Sequence, residues 1–148
     1  MTTDFLQTTV GKFIFRVKTG SLYTDSGVWL APDEELRVVR MGLTDFMQQS
    51  SGDIAFVELT AAGARVEAGG DVAAIETVKV DVGIPSPCAG VVAAVNPALA
   101  DSPELINQDC YGAGWLVELK PDVWPVPGLL DAQAYLAIMT RQAEEAAA

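Results

Sequence analysis

Short β-branched runs, closely spaced and cut apart by turn-forming residues, constrain this chain more than any other feature. Residues 13–17, 36–39, 54–59, 72–84, 91–95 and 115–119 alternate or cluster apolar side chains as strands do. Between them stand Gly, Pro, Asp, Asn and Ser clusters at 19–20, 50–53, 68–71, 85–87, 96–97 and 112–114. Helical pattern is confined to short pieces. Thr44 can cap a helix over 45–49, and Ser102-Pro103-Glu104 starts a single turn. Leu130, Ala134 and Ile138, with Tyr135 and Met139 beside them and Asp131 in the first turn, predict a C-terminal helix. Residues 144–148 read as a frayed tail. Many short strands with few helices predict a mainly β fold, a small sandwich or barrel. No linker or low-complexity tract interrupts it, so 1–148 reads as a single domain.

Composition then removes whole classes of chemistry. The chain has no histidine, which excludes serine–histidine and cysteine–histidine catalysis, histidine metal sites and histidine-ligated haem. Cys88 and Cys110 are its two cysteines, too few for a disulfide scaffold or a four-thiolate metal site. The net charge is −11, and residues 41–148 supply all of it, because residues 1–40 balance five bases against five acids. Such a surface repels nucleic acid and anionic lipid and suits a partner with a basic docking face. No run reaches the roughly 18 apolar residues of a membrane span, and residues 1–10 lack the pattern of a signal peptide. The expected compartment is the cytoplasm, with both thiols reduced.

The segment V-A-A-I-E-T-V-K-V-D-V-G-I at 72–84 is unusual in its length and in the lysine at its centre. Val72, Val78, Val80, Val82 and Ile84 fall on even positions; Thr77, Lys79 and Asp81 fall on odd ones. Periodicity alone makes this one continuous half-buried strand with Lys79 pointing outward as an ordinary solvated residue.

The surrounding motifs change that reading. G-L-T-D-F (42–46), G-D-I-A-F-V-E-L (52–59) and I-E-T-V-K (75–79) are followed by S-P-x-A-G (86–90). A-V-N-P-A-L-A-D-S-P-E-L-I-N (94–107), Y-G-A-G-W-L (111–116) and L-L-D-A-Q-A-Y (129–135) complete the series. In that order, over about residues 22–139, the chain resembles the H protein of the glycine cleavage system, a lipoyl carrier family built on a flattened β-barrel or sandwich. The resemblance implies a core at 22–139, an N-terminal extension at 1–21 and a frayed tail at 140–148. It implies that Lys79, at the tip of a tight β-turn, is joined by an amide to lipoic acid. It also places Glu76 and Gly90 where the family has residues associated with recognition by the attaching enzymes. Biotin carriers normally hold their lysine between methionines, which Val78 and Val80 do not reproduce.

The chain departs from the family pattern in particular places. Tyr23, Thr24 and Trp29 match, but Gly27 and Val28 replace the family's usual His-Glu pair. Val80 stands where alanine is usual, and Cys88 and Cys110 replace commoner residues. This pattern looks like the H-like lipoate-binding proteins of sulfur-oxidising prokaryotes, which work beside a heterodisulfide-reductase-like complex. That resemblance implies a carrier, not an enzyme, whose lipoyl arm shuttles a sulfur or redox intermediate. Its partners would be lipoate ligase or lipoyl-assembly enzymes, that complex, and dihydrolipoyl dehydrogenase. The alternatives are an H protein shuttling an aminomethyl group between glycine decarboxylase and aminomethyltransferase, and an unmodified interaction scaffold.

The remaining candidates read as structural. Cys88 and Cys110 fit small buried hydrophobes better than exchange partners for a lipoyl disulfide. Trp29, Trp115 and Trp124 read as core or cover. Glu34-Glu35 reads as a solvated turn. Gly69-Gly70 and Gly112-x-Gly114 lack the strand–helix context of a nucleotide loop and read as turns.

Overall fold

The computed structural model describes residues 4–147. The first strands, β1 (Phe5–Val10) and β2 (Phe13–Lys18), form an antiparallel hairpin of their own. Then come β3 (Leu22–Tyr23), β4 (Val28–Asp33), β5 (Val38–Leu43), α1 (Asp45–Ser51), β6 (Ile54–Leu59) and β7 (Arg65–Val66). The long lysine-bearing segment becomes β8 (Asp71–Thr77) and β9 (Asp81–Pro85). After β10 (Gly90–Val95) come a 3-10 turn at Pro97–Ala100, α2 (Leu105–Gln108), β11 (Val117–Pro121) and α3 (Ala132–Ala147). A six-stranded sheet in the order β3-β4-β5-β11-β10-β7 packs on a three-stranded sheet in the order β6-β8-β9. The mainly β sandwich with a C-terminal helix is as expected.

Its core follows strand alternation. Leu30, Met41, Leu43, Val117 and Leu119 from the larger sheet meet Ile75, Ile84 and Val72 from the smaller one, all with almost no exposure. Side chains on one face of a strand recur every second residue, so each short strand delivers two or three of them to this interface. A second core lies outside it. Phe15 and Val17 of β2 pack with Tyr23, Trp29 and, from α3, Ala132, Tyr135, Met139 and Ala143. Tyr23 and Tyr135 stack with centroids 4.7 Å apart, and the Tyr135 and Thr44 hydroxyls share a buried 2.8 Å hydrogen bond. The hairpin is also pinned to α1. Arg16 N–H donates to the Asp45 carboxylate at 2.9 Å, and Gln49 Nε2 donates to the Ile14 carbonyl at 3.0 Å.

Several expectations need correction. Residues 72–84 are a hairpin, not one strand: Thr77 N–H donates to the Val80 carbonyl at 2.8 Å, closing a turn through Val78 and Lys79. Strand 36–39 shifts to Val38–Leu43, because Arg37 takes φ 53° in a turn that leaves Leu36 exposed. Strand 115–119 shifts to Val117–Pro121, while β1, β3, β4 and β7 lie outside the expected strands. In α3 the buried stripe is Ala132, Tyr135, Met139 and Ala143, whereas Ala134 faces solvent and Leu130 precedes the helix, bridging to Tyr23. Asp131 caps the helix from outside, accepting from Ala134 N–H at 2.8 Å. Nor is the tail frayed over its described part: the helix continues to Ala147 because buried Ala143 holds it on the hairpin; Ala148 lies outside the described residues. Thr44 does cap α1, accepting from Met47 N–H, and the single turn after Ser102 is α2.

Candidate functional site

The turn between β8 and β9 projects Lys79 into solvent, with Val78 before it fully exposed and Val80 after it partly so. One side chain organises the turn. The Thr77 hydroxyl oxygen, itself buried, accepts from Lys79 N–H at 3.1 Å and from Val80 N–H at 3.0 Å. Those two amides would otherwise point from a protruding turn without a strand partner, so Thr77 fixes the backbone on which the lysine stands.

A second support lies below. Gly52 ends α1 with φ 86°, and a Cβ placed on it would stand 3.3 Å from Lys79 Cδ, so the aliphatic stem of the lysine runs over this helix end. Asn107 clamps that end: its Nδ2 donates to the Gly52 carbonyl at 2.9 Å and to Gln48 Oε1 at 3.0 Å, while its Oδ1 accepts from Ile54 N–H at 2.9 Å. Neither Thr77 nor Asn107 stood out in the sequence. Thr77 could have been found from its place two residues before the lysine, where a hydroxyl reaches the following amides.

The other candidates fall in different places. Glu76 is exposed on β8 directly across from Asp81 of β9, so two carboxylates flank the base of the turn. Gly90 is buried in β10, paired with Pro121 on one side and Val66 on the other. A Cβ on it would come within 2.3 Å of the Lys120 carbonyl oxygen. Close packing of the neighbouring strand leaves no room for a larger residue here.

Both cysteines are buried and unbridged. Burial pushes the Cys88 thiol up, with Asp122 adding to it. Burial, then Asp45 and Asp109, push Cys110 up to about 12. Thiols so held are protonated at neutral pH and poor nucleophiles. Trp29 is buried and donates to the Cys110 carbonyl at 2.8 Å, Arg40 lies 4.2 Å over the Trp115 ring, and Trp124 donates to Glu34 at 3.1 Å. All three are core or cover, as expected. Glu34-Glu35, Gly69-Gly70 and 112–114 are turns. Among the described residues no group of three or more His, Cys, Asp or Glu could hold a metal ion, and no helix is long and apolar enough to cross a membrane.

The turn presents an exposed lysine, and comparison with known proteins decides the family. The glycine cleavage H-protein family model matches residues 21–142. This chain belongs to the glycine cleavage H-protein family. It is 42% identical over 123 residues to a probable glycine cleavage system H protein of Natronomonas pharaonis, covering 83% of this chain and 96% of that one. It is also 42% identical over 122 residues to the H protein of Thermus thermophilus, covering 82% of this chain and 94% of that one. The crystal structure of an H protein from Mycobacterium marinum superposes with a TM-score of 0.74 at 31% identity, covering 82% of this chain and 97% of that one. H proteins are carriers, not catalysts, and hold lipoate covalently on a lysine. The lysines of this chain are Lys12, Lys18, Lys79 and Lys120, of which Lys79 and Lys120 lie within the matched segment. Both are exposed: Lys120 lies on β11 within the larger sheet, paired with Val91, and Lys79 stands at the tip of the β8–β9 hairpin.

The turn also supplies a test of its own. Thr77→Ala removes the acceptor for two amides, so we expect stability to fall by about 1–2 kcal/mol and the rate of lipoyl attachment to fall with it. Thr77→Ser keeps the hydroxyl and restores both, read by thermal melting and intact-mass time courses with a lipoate ligase.

Proposed function

We propose that Lys79 is the lipoyl attachment point of a single carrier domain, and that the protein shuttles an aminomethyl group between glycine decarboxylase and aminomethyltransferase. The observation that carries the attachment is Lys79 itself, exposed at the tip of the β8–β9 hairpin. Attachment neutralises its charge and extends the side chain into an arm of order 14 Å, from standard bond lengths. When bound, lipoate supplies a cyclic disulfide whose five-membered ring holds its torsion far from the ~90° that open disulfides prefer, so it opens readily to a nucleophile. The residues do the rest. Thr77 and Asn107 hold the base of the arm still, Glu76 and Asp81 present carboxylates to an attaching enzyme, and tethering replaces diffusion with an effective concentration of roughly millimolar. The carrier would work in the cytoplasm and be reoxidised by dihydrolipoyl dehydrogenase.

The aminomethyl assignment rests on the relatives, which bear glycine-cleavage names at 42% identity. They support this reading, carried in the sequence analysis as an alternative, better than the sulfur-shuttling one placed first there. One observation still favours a sulfur or redox cargo handed to a heterodisulfide-reductase-like complex. Where H proteins usually have His-Glu, Gly27 has φ 82° and a Cβ there would lie 2.0 Å from Met47 Cγ, while Val28 is buried. The polar pair is absent and its first position is filled by Met47.

The lipoylated protein, incubated with glycine decarboxylase, glycine and pyridoxal phosphate, should gain the mass of the aminomethyl load. No gain there, with turnover by a heterodisulfide-reductase-like complex, would transfer the assignment to the sulfur reading. A chain that takes no lipoyl group at all would be the interaction scaffold.

A further inference from the structure

The N-terminal hairpin precedes the matched segment 21–142 and carries a long open sheet edge. Backbone groups in an antiparallel pair point alternately into the ladder and away from it. On β2 the residues that point away are Ile14, Arg16 and Lys18, and side chains from the body take them up. Gln49 donates to the Ile14 carbonyl, Asp45 accepts from Arg16 N–H, and the Tyr111 and Tyr23 hydroxyls donate to the Arg16 and Lys18 carbonyls. Their partners on β1 are Thr9, Gln7 and Phe5. The N–H and C=O groups of those three therefore point to the opposite edge, and among the described residues nothing bonds to them there. We propose that this edge pairs with the same edge of a second copy of the chain, β1 against β1, about a two-fold axis through Gln7.

The other sheet edges are closed to such pairing. β3 and β7 are two residues long. β6 carries Glu58 and a break in register between Ile54 and Phe56, and β9 holds Asp81 and ends on Pro85. Sheets block their edges with devices of this kind. β1 has none: F-L-Q-T-T-V contains no charge, proline or glycine, its pairing with β2 runs without a bulge, and Gln7 and Thr9 are exposed. Charge selects a second copy as the occupant. At −11 each, two copies repel over most of their surface, but residues 1–20 hold three bases against one acid and β1 itself is neutral. Register selects it too. An axis at Gln7 sets Gln7 against Gln7 and Phe5 against Thr9 of the second copy, so every free N–H and C=O on both edges finds a partner. Leu6 falls opposite Thr8, and Asp4 opposite Val10, two residues from Lys12 of the second copy. No like charges meet across the pair. Lys79 stays free, because its stem runs over the end of α1, and α1 is bonded to the β2 side of the hairpin. The contact is one strand wide, below the roughly 1,200 Å² of a stable complex, so association is weak and needs high concentration.

Sedimentation of the full chain tests the pairing. The average mass should rise from 15.6 kDa toward twice that between about 10 µM and about 1 mM. Gln7→Lys and Gln7→Glu each set like charges directly opposite at the axis and should hold the monomer mass throughout. The Gln7 side chain lies on the face of β1 away from Leu6 and Val10, which pack with α3, so both variants should melt as the wild type does. An equimolar mixture of the two sets lysine against glutamate and should associate at least about tenfold more tightly than either alone. Amide hydrogen exchange at Gln7 and Thr9 should slow as the wild type is concentrated, while Thr8, already in the ladder with Phe15, should not change. A wild type that keeps the monomer mass at about 1 mM overturns the proposal. So does association that persists in both variants, or a mixture no tighter than its components.

Discussion

Lys79→Arg leaves a folded protein that accepts no lipoyl group. The side chain stands in solvent at a hairpin tip, and substitutions at such positions normally change stability by less than about 0.5 kcal/mol. The backbone of the turn is held through Thr77, whose partners are the amides of residues 79 and 80, so the hydrogen bonds survive the substitution. Melting temperature should therefore move by no more than ~2 °C. Attachment needs a nucleophilic amine. A guanidinium keeps the charge and the length but does not deprotonate in proteins, so it cannot form the amide. With a lipoate ligase and lipoate in excess, intact mass should show full conversion of the wild type and none of the variant. Persistence of the increment in Lys79→Arg, mapped to Lys12, Lys18 or Lys120, would refute the attachment assignment.

That lysine was legible from the motifs around it, and the turn that presents it was not legible from alternation. In β8 the buried residues include the odd-numbered Ala73, Ile75 and Thr77; in β9 the buried Ile84 is even-numbered. A two-residue turn changes the parity of the inward face, and this change is what distinguishes a hairpin from one long strand. Here the change is hidden. The inward residue at the crossing is a threonine, and the valine at 78 continues an even-numbered apolar row while sitting fully in solvent. No Asn-Gly or Asp-Gly pair marks the bend, because the Thr77 hydroxyl does the work that such residues usually do.

The seat of the N-terminal hairpin was hidden for a different reason. Val10, Phe13 and Phe15 lie in an extension that looks strand-like but carries no indication of where it folds back. Its place is set by contacts far along the chain, the Tyr111 hydroxyl to the Arg16 carbonyl at 2.7 Å among them. The α3 stripe was misjudged by the same kind of distance effect. Spacing of four allows either Leu130, Ala134 and Ile138 or Tyr135, Met139 and Ala143 to face inward. Tyr23 and Thr44, waiting in the body of the fold for an aromatic ring and a hydroxyl, select the second set. Capping residues are local, and Thr44 does cap α1; inward faces depend on tertiary partners.

Gly90→Ala separates a packing role from a recognition role at a residue where the family resemblance implies the second. Gly90 is the first residue of β10, which lies between β7 and β11, and its ideal Cβ position is 2.3 Å from the Lys120 carbonyl oxygen and 3.0 Å from Pro121 Cα. Both obstacles are backbone atoms of the neighbouring strand, so no rotamer change relieves them. Either β11 moves outward, stretching the β10–β11 ladder that carries Val92, Val117 and Leu119 into the core, or Gly90 leaves the sheet. Overpacking of this kind costs about 3 kcal/mol, at the upper end of its usual range, which lowers the melting temperature of a chain this size by about 6–12 °C. If packing is the reason for the glycine, the variant at a temperature well below its transition should still be lipoylated at a rate near that of the wild type, because Lys79 and its turn belong to the other sheet. Recognition predicts the reverse, an unchanged melting temperature with attachment slowed tenfold or more, a loss of about 1.4 kcal/mol or more in transition-state binding by the attaching enzyme. The buried position of Gly90 between two strands makes the first result the expected one.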